Sequence, residues 1–196
     1  MAGGWHSLVD ATRVRDESED LEDEIRQAQR GDRAARAVLL HELQDVWYRV
    51  CLGVLRDADA ARDATQETAL RFLRQLDAFR GESRLRTWST GIAINVCREM
   101  RRREQRTDDE RVAASAPPHS VDRSPLESAS SAEANDALRR TLDDLPERQR
   151  EAIVLRFFEE LSVDETAKAM SCATGTVKAT VHQALRQLRE KLRQVV

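Results

Sequence analysis

The chain has 196 residues, of which 40% are hydrophobic, 34% are charged and 4% are aromatic, and its formal net charge at pH 7 is -3. So charged a composition favours small helical modules over one large core. Only seven Gly and four Pro supply turn chemistry, whereas good helix formers dominate, so we predict an all-α fold. No segment approaches the roughly 18 apolar residues of a membrane helix, and we expect a cytoplasmic protein without membrane insertion.

The cysteines and histidines form no recognisable chemical site. Cys51, Cys97 and Cys172 include no CxxC pair, and an odd count is typical of a reducing compartment. The four histidines are dispersed, and neither an HExxH motif nor a Gly-rich phosphate loop is present. We therefore predict no catalytic residue, no metal site and no cofactor, and we interpret the cysteines as small core residues.

The N-terminal segment is strongly acidic. Seven of the nine residues of Asp16–Glu24 are Asp or Glu, and charges so dense repel one another. We predict a disordered acidic tail over residues 1–18, followed by a short helix over Leu21–Arg30. Gly31 ends that helix, and Asp32 is placed to cap the next.

Three later segments repeat apolar residues at intervals of mostly three or four, the period of one buried helical face. The stripes comprise Leu39, Leu43, Val46, Val50 and Val54, then Ala69, Phe72, Leu76 and Phe79, then Leu85, Trp88, Ile92, Val96 and Met100. Three helices with matched stripes predict a bundle. This bundle forms a first domain, residues 19–106.

The pattern stops between residues 107 and 134. The segment contains three of the four prolines and no apolar period, which is the composition of a flexible linker. Beyond it, residues 135–196 form a second small domain, with Leu138, Leu142 and Leu145 in its core, Pro146 at a helix start, and Ile153, Phe157 and Leu161 on one apolar face. The sequence therefore predicts two helical domains joined by a flexible linker.

The second domain contains a helix-turn-helix pattern. Ser162 and Glu165 form a capping box that begins one helix, and Thr174 is placed to cap the next after a tight turn. The small Ala167 and the apolar Val177, ten residues apart, have the spacing at which two such helices cross. An ordinary helical hairpin remains the alternative.

Positive charge is concentrated between Arg84 and Arg106, where seven arginines accompany two glutamates. Charge segregated in this way can bind a polyanion although the whole chain is slightly negative. A solvated helix end is the alternative. Trp88 offers stacking or belongs to the core. Asn95 lies inside an apolar stripe, where an unpaired amide would cost about 1–3 kcal/mol.

Four stretches together resemble a known family. They are "DAARDATQETALRFLRQLDAFRGESRLRTW", "IAINVCREMRRR", "LDDLPERQREAIVLRFFEELSVDETAKAM" and "GTVK". Their order is similar to that of sigma-70 transcription initiation factors of the extracytoplasmic-function (ECF) subgroup. The resemblance implies that the first domain is sigma region 2 and the second is sigma region 4, and that neither is an enzyme. It also implies three partners: core RNA polymerase, promoter DNA and an anti-sigma factor.

The resemblance assigns roles to individual residues. Asp63, Gln66, Glu67 and Arg71 match the face that docks on the clamp helices of polymerase. The residues expected to capture and hold the minus-10 strand are Phe79, Arg80, Trp88, Asn95, Arg98, Arg101, Arg102, Arg103 and Arg106. Those expected to face the minus-35 element are Thr176, Lys178, Ala179, Thr180, His182 and Gln183.

Two other function classes stay open on the residues alone. A helix-turn-helix regulator would bind duplex DNA tightly without polymerase. A helical adaptor would use its basic helix to bind an acidic protein. The sequence also departs from the family after Trp88, where Ser89, Thr90 and Gly91 stand, and a Gly within a helix costs roughly 1 kcal/mol relative to Ala.

Overall fold

The structure is a computed structural model that describes residues 17–113 and 145–195. Its helices are α1 (Glu17–Gln29), α2 (Arg33–Leu55), α3 (Ala58–Gln75), a 3-10 turn (Leu76–Ala78), α4 (Leu85–Ala113), α5 (Glu147–Ile153), a π-helical turn (Val154–Phe158), α6 (Val163–Met170) and α7 (Thr174–Val195). The described ranges contain no strand, which confirms the all-α prediction for them. The chain divides into two compact units, residues 1–39 and 40–196, so the boundary falls within α2.

The described part of the first unit is α1 and the beginning of α2. α1 begins at Glu17, four residues before the predicted helix start, so the disordered tail predicted over residues 1–18 is wrong for residues 17 and 18. Residues 1–16 lie outside the described residues. Gly31 has φ of +94°, a conformation that suits glycine. Asp32 caps α2 as predicted, because its Oδ1 accepts a hydrogen bond from the Ala35 amide at 2.8 Å.

In the second unit, the rest of α2 packs with α3 and α4 around aromatic side chains. The predicted stripe residues of α2 from Leu43 onward are buried, as are Phe72 and Leu76. The ring centroids of Trp47 and Phe72 lie 5.2 Å apart, those of Phe72 and Trp88 lie 5.8 Å apart, and those of Trp88 and Phe79 lie 5.0 Å apart. We call these four residues the aromatic series. It runs from the core to the surface.

The helix-turn-helix forms from α6 and α7. The Glu165 amide donates to Ser162 Oγ at 3.2 Å, and the Ser162 amide donates to Glu165 Oε2 at 2.9 Å, so the predicted capping box is confirmed. Ala167, Met170 and Val177 are buried between the helices. Thr174 is the first residue of α7 rather than its cap, because the Ala173 carbonyl accepts the Val177 amide at 3.2 Å.

A second correction concerns Phe157, whose side chain is 53% exposed rather than on the apolar face. The cause is the π-helical turn, in which the Glu159 amide bonds to the Val154 carbonyl at 3.1 Å, five residues back. That wider turn shifts the later residues out of the 3.6-residue phase. Leu145 and Ile153 remain in the core with Ala184 and Leu188.

α4 is longer than predicted. It continues to Ala113, seven residues past the predicted end of the first domain at residue 106. The remainder of that linker, together with Leu138 and Leu142, lies outside the described residues.

Within the second unit, α6 and the π-helical turn pack directly on the bundle helices. A Cβ added to Gly91 of α4 would lie 3.3 Å from the Ala169 carbonyl oxygen of α6. A Cβ added to Gly53 of α2 would lie 2.9 Å from a methyl carbon of Val154. A side chain at Gly53 would therefore require Val154 to shift, and one at Gly91 would require the Ala169 backbone to give way by a few tenths of an ångström.

Candidate nucleic-acid interface

Phe79, Arg80 and Trp88 are brought together around one open pocket. The pocket has a volume of about 560 Å³ and is also lined by Glu82, Ser83 and Lys168, among others. The 3-10 turn and the following loop present Phe79, while the first turn of α4 presents Trp88. Trp88 is half-buried, because one part of its ring packs against Phe72 in the core while another part lines the pocket. Two aromatic rings beside a cationic residue can stack on a base and hold its phosphate.

Asn95 does not join that pocket. Its side chain is exposed, contrary to its expected place in an apolar stripe, so no desolvation penalty arises. The reason is that α4 turns position 95 away from the core while Ile92 and Val96 stay buried. Its Oδ1 accepts a 3.3 Å hydrogen bond from Arg98, and Asn95 lines a separate depression of about 230 Å³.

The basic cluster of α4 contains arginines that are accessible to solvent and one that is held in an ion pair. Arg102, Arg103 and Arg106 are exposed and Arg101 is half-buried. Arg98, by contrast, makes a two-pronged ion pair with Glu151 of α5, with Nε to Oε1 at 2.8 Å and Nη2 to Oε2 at 2.7 Å. The Glu151 side chain is 0% exposed, and hydrogen bonding to its carboxylate raises the pKa of Arg98. Four arginines thus line the end of α4, while a fifth is already paired.

The four residues predicted to dock on polymerase share one side of α3. Asp63 and Gln66 are exposed, and Glu67 is half-buried. Arg71 donates to Glu67 at 2.7 Å and, through both terminal nitrogens, to Glu99 of α4 at 2.8 and 2.7 Å. The guanidinium therefore lowers the pKa of Glu99. This pairing fixes α3 against α4 and leaves Asp63 and Gln66 available to a partner.

Sequence reasoning missed an apolar residue on that face. Leu70 is 50% exposed and lies four residues after Gln66 and seven after Asp63, which places the three side chains on one stripe. The signal that could have found it is this spacing, because Leu70 does not fit the buried stripe of Phe72 and Leu76. A single exposed Leu is ordinary on a protein surface, so Leu70 by itself does not identify a docking surface.

The predicted minus-35 residues lie on the first three turns of α7. Thr176, Lys178, Ala179, His182 and Gln183 are exposed, and Thr180 is half-buried. Val177 is buried against α6 and fixes the orientation of this surface. A helix presented in this way can enter the major groove of duplex DNA.

A second buried carboxylate, Glu159, was also not predicted. Its side chain is 1% exposed and binds Arg49 of α2 at 2.9 Å and Arg86 of α4 at 2.7 Å. Hydrogen bonding to Glu159 raises the pKa of Arg49. No local pattern marks such partners, because 110 residues separate Arg49 from Glu159.

Residues 17–113 and 145–195 contain neither a metal-binding cluster nor a membrane-spanning helix. No cluster of His, Cys, Asp and Glu side chains there could hold a metal ion. No helix of those ranges has the length and apolar character needed to cross a bilayer.

Comparison with known proteins gives concordant results. Two family models match, Sigma-70 region 2 over residues 39–107 and Sigma-70, region 4 over residues 135–188. The chain is 32% identical to the RNA polymerase sigma-H factor of Pseudomonas aeruginosa, covering 82% of this chain and 87% of that factor. It is 28% identical to the ECF RNA polymerase sigma factor SigW of Bacillus subtilis, covering 86% and 95%. Its structure is similar to the sigma factor RpoE from Bartonella quintana, solved with the anti-sigma factor NepR, with a TM-score of 0.65, 26% identity, and coverage of 80% and 96%.

Proposed function

We propose that three separate surfaces of this protein have different binding roles. The chain belongs to the sigma-70 family, in its ECF subgroup, and directs RNA polymerase to promoters. One surface binds core polymerase, a second captures the minus-10 strand and a third contacts the minus-35 element. The observation that carries the proposal is the pocket between Phe79 and Trp88 at the head of the arginine-bearing helix α4.

The pocket is suited to a base flipped from the minus-10 element. Flipping costs a few kcal/mol of stacking and pairing. Stacking of the base on an aromatic side chain contributes about 1–3 kcal/mol of binding free energy per base, which offsets this cost. Phe79 and Trp88 offer such faces, Arg80 lies at the rim, and Asn95 offers an amide for a neighbouring base. Arg98, Arg101, Arg102, Arg103 and Arg106 would then bind the adjoining phosphates.

Polymerase docking is assigned to α3. Asp63, Gln66 and Glu67 present polar groups, Leu70 adds an apolar contact and Arg71 stiffens the surface through Glu99. The minus-35 contact is assigned to the first three turns of α7, with Lys178 as the main cationic group beside Thr176, Ala179, Thr180, His182 and Gln183. Chemistry on RNA stays with polymerase, so this chain contributes binding and no catalytic group.

An anti-sigma factor is the third proposed partner. Its support is the likeness to the Bartonella quintana sigma factor, which was solved together with one. Since polymerase and promoter DNA are the other partners, we place the protein in the cytoplasm.

Run-off transcription tests the proposal. Purified core polymerase, the chain, or both together are incubated with a library of promoter fragments, and the RNA 5′ ends are sequenced. We expect start sites that appear only when both proteins are present and that share minus-10 and minus-35 elements. Tight duplex binding by the isolated chain, with no start sites beyond those of core polymerase alone, would instead establish a regulator without a sigma role.

A further inference from the structure

Two of the three cysteines meet inside the helical bundle. Cys51 lies on α2 and Cys97 lies on α4, and both side chains are 0% exposed. Their thiols are hydrogen-bonded to each other. Since the whole of α3 lies between them in the sequence, the fold alone brings the two sulfurs together.

The surroundings of the pair are polar, unlike those of a cysteine that only fills space. Thr65 and Thr68 of α3 also hydrogen-bond to the Cys51 thiol. The Thr65 hydroxyl donates to the Ala61 carbonyl and the Thr68 hydroxyl donates to the Ala64 carbonyl, each at 2.7 Å. A hydroxyl group rotates to suit its partners, so either one can donate to a thiolate on Cys51.

The contact makes the two sulfurs chemically unequal. The hydrogen bond with Cys97 lowers the pKa of Cys51, and the same contact raises the pKa of Cys97. Since the thiolate is the nucleophile, Cys51 is the sulfur that reacts first with an electrophile. Cys97 is then in place to attack the product, which is the arrangement of a reactive cysteine beside a resolving one.

We propose that Cys51 and Cys97 are an oxidation site, at which a hydroperoxide converts the two thiols into a disulfide between α2 and α4. The disulfide cross-links two helices of the bundle and stabilises the folded chain. Sulfurs that are already in hydrogen-bond contact need only a short approach to reach the bond length of about 2.05 Å. This inference goes beyond promoter recognition and does not depend on the binding roles proposed above.

The reaction consumes one hydroperoxide. The Cys51 sulfur attacks one peroxide oxygen and the O–O bond breaks, which leaves a sulfenic acid on Cys51 and, from hydrogen peroxide, releases water. The Cys97 sulfur then attacks the sulfur of that sulfenic acid. The S–S bond forms, the S–O bond breaks, and the departing hydroxide takes the Cys97 proton and leaves as a second water. The two thiols are oxidised, and the peroxide is reduced to two water molecules.

Burial sets the conditions for this reaction. Because both sulfurs are 0% exposed, the oxidant reaches them during local openings of the bundle. Once formed, the disulfide closes a covalent loop, which opposes further opening. Exchange with a small thiol returns the pair to its reduced form. Since the bond forms in the core, the exposed surfaces of α3 and α4 remain available to their partners.

The test is oxidation of the reduced, full-length chain by hydrogen peroxide, followed by alkylation of the remaining thiols and peptide mapping without reductant. The chain carries Cys172→Ser, which removes the third thiol and leaves the pair intact. We expect a peptide in which Cys51 is joined to Cys97. The proposal is overturned if both residues are recovered as alkylated thiols after an incubation that fully oxidises a free cysteine peptide in the same sample.

The wild-type chain provides a check on selectivity, because it also contains the half-buried Cys172. We expect the link between Cys51 and Cys97 to exceed either link to Cys172. A product in which a link to Cys172 dominates would contradict the proposed pair. Both measurements use chains with an unaltered core, so neither depends on a variant that fails to fold.

Urea unfolding measures whether the disulfide fits the fold. The oxidised Cys172→Ser chain is compared with the same sample after reduction by dithiothreitol. We expect the midpoint of the oxidised form to be higher by about 1–2 M, because the cross-link restricts the unfolded chain. An equal or lower midpoint would show that the bond distorts the bundle, and would refute the proposed stabilisation.

Transcription with core polymerase separates this proposal from the proposed function. We expect the oxidised and reduced chains to give the same start sites, because the sulfurs lie inside the bundle. Loss of starts on oxidation alone would contradict a cross-link that leaves the binding surfaces free. Absence of promoter-specific starts with the reduced chain would count against the proposed function, whereas peptide mapping and urea unfolding judge the disulfide by themselves.

Discussion

Glu99→Gln tests how firmly α3 is fixed on α4. In the wild-type protein the Glu99 carboxylate accepts two hydrogen bonds from Arg71, at 2.8 and 2.7 Å, and this pair joins the polymerase-docking helix to the DNA-binding helix. Glutamine keeps the size of the side chain but removes the charge and one acceptor. The expected result is a less stable protein.

The magnitude follows from the exposure of the pair. A hydrogen bond to a charged group contributes about 1.5–3 kcal/mol when it is well protected. Here the side chains of Arg71 and Glu99 are 22% and 37% exposed, so solvent screens part of the attraction. We therefore expect a loss of about 1 kcal/mol in the free energy of unfolding. At a urea m-value of about 2 kcal/mol/M, the midpoint falls by about 0.5 M.

The assay is urea unfolding followed by far-UV circular dichroism, with Glu104→Gln as the control at an exposed position on the same helix. Arg71 lowers the pKa of Glu99, so the pair stabilises the fold fully above the ordinary carboxyl pKa of about 4.3. That contribution is lost as the pH falls through the lowered value. The difference between wild-type and Glu99→Gln should therefore narrow in acid.

Two results would refute this reasoning. One is a midpoint for Glu99→Gln no lower than that of the Glu104→Gln control. The other is a difference from wild-type that stays constant as the pH falls well below the ordinary pKa of the carboxyl group.

Three further changes have defined outcomes. Ser171→Gly should raise the free energy of unfolding by about 1 kcal/mol, because Ser171 has φ of 52°, where glycine has no Cβ penalty; an unchanged urea midpoint would contradict this. Asn95→Ala should impair permanganate-detected promoter melting but not core affinity; equal loss of both would indicate a structural role. Charge reversal at Asp63 and Glu67 should weaken core binding by at least about ten-fold, and an unaltered affinity would remove them from the docking face.

Local features were predictable because they leave a periodic or positional signal. The buried stripes of α2 and α4, the Asp32 cap and the Ser162–Glu165 capping box each depend on residues within a few turns of one another. The pocket between Phe79 and Trp88 was also expected, through the family resemblance.

The remaining features depend on distant partners. Arg98 pairs with Glu151 across 53 residues, and nothing near either residue distinguishes them from the exposed Arg and Glu around them. Gly91 alone indicates a destabilised helix, because the sequence does not reveal that the Ala169 backbone lies next to this position. The pitch of an ordinary α-helix predicts Phe157 on the apolar face, but the π-helical turn before Glu159 turns it away from that face.

The aromatic series gives this molecule an intrinsic optical probe. The indole of Trp47 is 0% exposed, so its fluorescence comes from the protein core. Trp88 instead lies at the pocket edge, with its ring centroid 5.0 Å from that of Phe79. A nucleobase stacked there would quench the outer indole and leave the inner one bright. Trp5 is the third tryptophan of the chain and would add its own emission. With Trp5 replaced by Phe, strand capture could be timed by stopped-flow emission without attaching a dye to protein or DNA.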